Sequence, residues 1–95
     1  MKEVEDLKDT AEMMTSEDYK ERFRAEYHQT KIRYERLKKL NTKIEAVSRM
    51  PYNRPCRIEI PKHDCPEDIL IDQQRCMGEY LHLLELRAVI EGIDL

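Results

Sequence analysis

The chain has no tryptophan, one phenylalanine and two glycines in 95 residues. So little glycine excludes a turn-rich all-β fold and leaves no phosphate-cradling glycine loop. No stretch approaches the roughly 18 apolar residues that a bilayer-crossing helix requires. The first segment, from Met1 to Met14, is too acidic and polar for a secretory signal, which points to a cytoplasmic protein without a membrane partner. Three cysteines, Cys56, Cys65 and Cys76, are an odd number, so reduced thiols are expected and no disulfide framework is.

Proline is confined as sharply as glycine is scarce. All four prolines (Pro51, Pro55, Pro61 and Pro66) lie within residues 51–66. Helix cannot continue through them, so the segment divides the chain into two helical arms. Within it, residues 56–60 alternate apolar and polar side chains in the manner of a short edge strand.

The abundant material is charge, at 39% of residues, and it is segregated. Residues 1–18 hold seven acids against Lys2 and Lys8, residues 20–39 hold eight bases against three acids, and residues 66–95 are acidic again. Such a pattern serves helix–helix charge complementarity, or it presents a basic surface to an anionic ligand. A net charge of −3 and the absence of a groove-reading motif argue against duplex nucleic acid.

Periodicity predicts one helical domain over 1–95. Val4, Leu7, Ala11 and Met14 form one narrow face of a short acidic helix over 1–14. A capping box at Thr15 to Asp18 then starts a long basic helix over 16–48. Its seam is Tyr19, Phe23, Tyr27, Thr30, Tyr34, Leu37, Asn41 and Ile44, with Asn41 a polar residue suited to fixing register. After a Pro-rich loop over 49–65, an apolar and acidic helix over 66–91 opens on Pro66 and stops at Gly92, which is placed to take a left-handed cap with Ile93 or Leu95 folding back. The expected architecture is all-α, an antiparallel helical hairpin with an extra N-terminal helix. The broad apolar face of the last helix exceeds what one partner helix covers, so a homo-oligomer is expected. Tyr34, Met77, Gly78, Tyr80, Leu81, Leu84 and Ala88 are its candidate interface, with Gly78 permitting a close helix crossing.

Little in the chain suggests catalysis. Cys56, His63 and Cys65 lack the fourth ligand and the close pairing of a zinc site, and Cys56 with His63 has no positioning group or oxyanion donor. The expectation is a binding protein without enzyme activity, metal or cofactor. Arg49, Tyr52, Arg54 and Arg57 sit in a loop stiffened by prolines, where guanidinium groups and a tyrosine ring suit phosphates and a stacked base; Arg22 and Arg24 are added from the basic helix. Arg87 on the apolar helix is expected to pair across the hairpin with Glu26 or Glu35, since a buried charge must be paired.

The pattern from Tyr19 to Phe23, Glu26-Tyr27 and Arg33 to Leu37, followed by Cys65-Pro66, Leu70, Gln73-Gln74, Met77-Gly78, Tyr80-Leu81, Leu84-Glu85, Arg87-Ala88 and Ile90 to Gly92, resembles small phage and prophage proteins grouped as crAss-like phage related proteins. The resemblance covers residues 19–48 and 64–93 and supplies no ligand residues. It implies a small accessory protein that counters host defence in the bacterial cytoplasm, by sequestering a cyclic nucleotide immune signal as a sponge. The alternative is an inhibitor that binds a host defence protein complex, such as a CRISPR effector, with acidic surfaces that occlude a nucleic-acid channel.

Overall fold

The computed structural model describes residues 6–51 and 57–95. Three helices follow in order, α1 (Leu7–Met13), α2 (Tyr19–Arg49) and α3 (Glu67–Glu91), with no strand among the described residues. Residues 57–65 run without helix or ladder, so the alternation there does not become an edge strand, and Cys56 lies outside the described residues.

The first helix is capped by Asp6, whose carboxylate accepts from the Lys8 and Asp9 amides while Asp9 returns a bond to the Asp6 amide. Its inward face is Thr10 and Met13, whereas Ala11 and Met14 are exposed, which corrects the face expected from apolar spacing; Val4 lies outside the described residues. Thr10 can be fully buried because its hydroxyl donates to the Leu7 carbonyl at 2.7 Å. α1 packs on α2, where Ala25 is fully buried.

The start of α2 also differs from expectation. Asp18 is the N-cap and accepts from the Lys20 amide at 3.0 Å, while Ser16 accepts from the Asp18 amide and donates to Glu21 at 2.8 Å. Thr15 instead donates to the Glu12 carbonyl at the end of α1. The cap falls on Asp18 because the two residues before it are consumed in turning the chain from one helix to the next.

α2 and α3 pack antiparallel. Tyr19 meets Glu91, Tyr27 meets Glu85, and Asn41 meets Leu70, so advance along one helix is retreat along the other. Phe23, Tyr27, Leu81, Leu84, Ala88 and Ile93 make the central cluster, and Tyr34 and Leu95 pack against it. Full burial of a side chain such as Leu84 contributes about 1.5–3 kcal/mol. Gly92 takes φ 69°, the left-handed cap, and the Ile93 amide then reaches the Ala88 carbonyl at 2.8 Å and brings the Ile93 side chain into the core.

Polar groups line the edges of this seam. Asn41 donates to the Leu70 carbonyl at 3.0 Å and to the Gln74 side chain at 2.9 Å, a buried link that sets the register of the two helices. Arg87 bonds Glu91 at 3.1 Å and Tyr19 at 2.5 Å, and its guanidinium lies 4.9 Å from the centre of the Phe23 ring. It does not pair with Glu26 or Glu35 as expected; Glu26 accepts from Tyr80 instead. Arg87 is exposed, so it is not a buried charge that has to pair across the hairpin; it lies over the Phe23 ring, and Glu91, one turn away, neutralises it.

Candidate ligand cleft

Two residues apart on an α-helix means nearly opposite faces, and this decides the fate of the basic residues near the start of α2. Arg22 donates to the Ser16 carbonyl at 2.6 Å and so braces the turn between α1 and α2. Arg24 points to the other flank. It lines a cleft of about 370 Å3 with Lys20, where Met13 of α1 and Ile93 of the C-terminal tail supply apolar wall and Asp18, Glu21 and Asp94 supply acids. Glu21 is engaged by Ser16 and Asp18 by the Lys20 amide.

The Arg24 Nε is shielded from solvent and finds no hydrogen-bond acceptor among the described residues. A buried donor left unpaired costs about 1–3 kcal/mol, more when it is charged. An acceptor that reached this nitrogen would recover that cost.

Further basic and aromatic groups follow Arg24 along α2, beyond the lining of the cleft. Lys20, Arg24, His28 and Lys31 follow spacings of four, four and three, which keeps them on one side of the helix. The His28 ring stands edge-on to Tyr27 with centroids 5.2 Å apart, and the Lys31 ammonium lies 5.9 Å from the Tyr27 ring centre. Burial, with the like charges of Arg24 and Lys31, holds the His28 imidazolium below the ordinary histidine range, so near neutral pH its ring is uncharged. This flank therefore offers two sorts of group to a ligand. Cationic donors suit phosphate, while the carboxylates of Glu21 and Asp94 accept from hydroxyl or amino groups. A plain polyanion gains only from the first; a nucleotide uses both. The volume lies within the range of small-molecule sites.

The remaining residues singled out in the sequence do not converge on this cleft. Arg49 is held by Glu45 at 3.1 Å at the far end of α2, and Arg57 lies beside Thr42, Lys43 and Ala46. Twenty-two residues of helix separate Arg24 from Ala46, about 33 Å. Tyr52 and Arg54 lie outside the described residues. Sequence reasoning passed over Lys20, His28 and Lys31, although their spacing from Arg24 was a readable signal. The tail residues Ile93 and Asp94 had no such signal, because only the fold carries them to the start of α2.

The residues named as an oligomer interface are placed mainly inside the hairpin. Leu81, Leu84 and Ala88 are buried against α2, and Tyr80 donates to Glu26. Gly78 faces the Tyr34 ring, where a methyl group would meet ring carbon at 3.4 Å, an ordinary contact. Its nearest neighbours across the seam are side-chain atoms of Tyr34, so the position does not require the absence of a side chain. Met77 is half-buried.

His63 Nδ1 lies 2.9 Å from the Cys65 carbonyl oxygen, and no cluster of metal-ligating side chains occurs among the described residues. No helix among them is long and apolar enough to cross a membrane.

The described residues form a capped helical hairpin with a cleft at the start of α2, beside which the Nε of Arg24 is left without an acceptor. The family can be stated: the chain belongs to the Sequestin family, whose model matches residues 17–90, a span that contains α2, the Pro-rich connection and nearly all of α3. The family name denotes a protein that sequesters by binding. No curated protein and no solved structure matches the chain.

Proposed function

We propose that this protein is a phage-encoded anti-defence protein that sequesters a nucleotide-type immune signal, with cyclic nucleotides as the leading class, and that it acts in the host cytoplasm by binding without turnover. Membership of the Sequestin family supports action by binding. The observation that carries the site is the solvent-shielded Nε of Arg24, unpaired among the described residues, beside a cleft that Arg24 lines with Lys20; Lys31 follows on the same side of the helix, outside the cleft. A phosphate oxygen accepts from Arg24, and ribose or base donors turn towards Glu21 and Asp94. Arg49, Tyr52, Arg54 and Arg57 act as a second basic element supplied by another protomer, since one chain keeps Arg49 and Arg57 far from Arg24.

Titration calorimetry against a panel of cyclic di- and trinucleotides tests the reading. Binding by the wild-type chain should weaken about 10- to 100-fold in Arg24→Gln, the range of a hydrogen bond to a charged group, with helicity unchanged. Silence of the wild-type chain across the panel refutes nucleotide sequestration and transfers the assignment to an inhibitor of a defence protein complex.

A further inference from the structure

α2 has a second periodic side, and α1 occupies only its beginning. Ala25, Ile32, Arg36, Lys39, Lys43 and Ala46 follow spacings of seven, four, three, four and three, opposite the seam that packs on α3. Ala25 is fully buried where α1 packs on α2. Beyond it Ile32, Lys43 and Ala46 are half-buried, and Arg36 and Lys39 are exposed. Two shallow grooves that share Thr42 and Lys43 run beside them, one walled by Lys38 and Lys39, the other by Ala46 and Ile58. Arg57 and Glu59, which also line the second groove, offset each other in charge. The cations of α2 here are unpaired. Residues 27–44 carry six bases (Lys31, Arg33, Arg36, Lys38, Lys39 and Lys43) against Glu35, and none of the six forms an ion pair among the described residues, whereas Arg49, Arg75 and Arg87 each do.

We propose that the side of α2 from Ile32 to Ala46 docks a short acidic amphipathic helix of a partner protein. The occupant follows from the chain's own example. α1, which packs on the first part of α2, carries Asp9 and Glu12 and rests on the inward Thr10 and Met13. An acidic helix with apolar side chains towards Ile32 and Ala46 repeats that arrangement, its carboxylates facing Arg36, Lys39 and Lys43. Fourteen residues of helix separate Ile32 from Ala46, about 21 Å, so about four turns suffice. A nucleic acid fits this side less well, because Tyr19, Phe23, Tyr27 and Tyr34 turn towards α3 and leave no ring here, among the described residues, on which a base could stack. A second copy of the chain fits less well too, since Asp72, Glu79 and Glu91 of its acidic α3 are already engaged by Arg75 and Arg87.

The proposal uses none of the cleft residues and stands apart from the nucleotide reading. Its probe is a synthetic amphipathic helix of about 14 residues with glutamate and leucine on one face, and the control is a scrambled peptide of the same composition. Fluorescence anisotropy with the full chain should show the probe bound about 10-fold more tightly than the scramble, because only the ordered face buries leucine and pairs glutamate at once. Lys39→Glu combined with Lys43→Glu should weaken binding of the probe about 10-fold at unaltered helicity, and added salt should weaken it in the wild-type chain, while Arg24→Gln stays within about twofold. Absence of binding to the wild-type chain overturns the proposal. Equal binding of probe and scramble also overturns it, since this side of α2 is then a solvated charge and no docking surface. Undiminished binding in the double variant places the peptide elsewhere, and tighter binding of a single-stranded oligonucleotide of the same charge gives the side to nucleic acid; either result refutes the assignment.

Discussion

The two flanks of α2 begin with the same residue types and end in different states. On one flank, Arg22 closes the α1–α2 turn through the Ser16 carbonyl, Tyr19, Arg87 and Glu91 bind one another across the hairpin, and Tyr80 donates to Glu26. On the other, Lys20 and Arg24 border a cleft, and the Arg24 Nε has no acceptor among the described residues. Charge density alone does not mark a binding surface. What marks it is charge that the fold has positioned and left unsatisfied.

The most damaging way to erase this contrast is to loosen the hairpin that creates both flanks. Leu84 is 2% exposed at the centre of the core, so Leu84→Ala should cost about 2–5 kcal/mol, read as a lowered urea midpoint. Ligand affinity and the Tyr19–Glu91 edge should then fail together.

A sharper cut compares the two arginines directly. Arg22→Ala removes one hydrogen bond on the exposed flank and should cost about 1 kcal/mol in chemical denaturation while leaving ligand affinity within about twofold. Loss of binding in this variant equal to that in Arg24→Gln would show that the flanks are not distinct.

Gly78→Ala probes the seam between the flanks. The added methyl meets Tyr34 at ordinary contact distance, and alanine gains helix propensity, so thermal unfolding should report a stabilisation of about 0.5–1 kcal/mol. Destabilisation would mean that the Tyr34 ring cannot accommodate even ordinary contact.

Acid and alkali should act on different flanks. Burial, then the hydrogen bond to Glu85, pushes the Tyr27 phenol up to about 12. The folded chain thus favours neutral Tyr27, and the stability this contributes is complete below the ordinary value of about 10 and is lost as pH rises through about 12. Tyr19 and Tyr80 are raised in the same direction, chiefly by their bonds to Glu91 and Glu26. Phenolate absorbance should show late-titrating tyrosines that become ordinary on unfolding. His28 runs the other way: its contribution is present above about 6.5 and is lost as pH falls through its lower folded value. A phosphate bound between Arg24 and Lys31 would offset their repulsion of the imidazolium. Nucleotide affinity should therefore rise modestly on acidification, with proton uptake detectable by calorimetry in buffers of different ionisation heat.

The helices themselves were legible in the sequence because their signals are local. An uninterrupted seam of alternating four- and three-residue spacings made α2, four prolines ended it, and Gly92 with Ile93 closed α3. Local signals failed where competing local bonds or distant packing decided. Asp18 displaced Thr15 as the cap because Thr15 turned back to α1, and Thr10 was buried in place of Ala11 because a threonine hydroxyl can satisfy itself on its own helix. Which faces of α3 meet α2 was not readable, since both sides are apolar and periodicity cannot rank them. The sequence by itself determined three helices, the end of α2 before Pro51, the end of α3 at Gly92 and the basic character of α2. Only the tertiary structure decided that Arg22 is a brace, that Arg24 borders a cleft and that Asp94 returns to meet it, because those roles depend on which residues distant in the chain arrive beside each side chain.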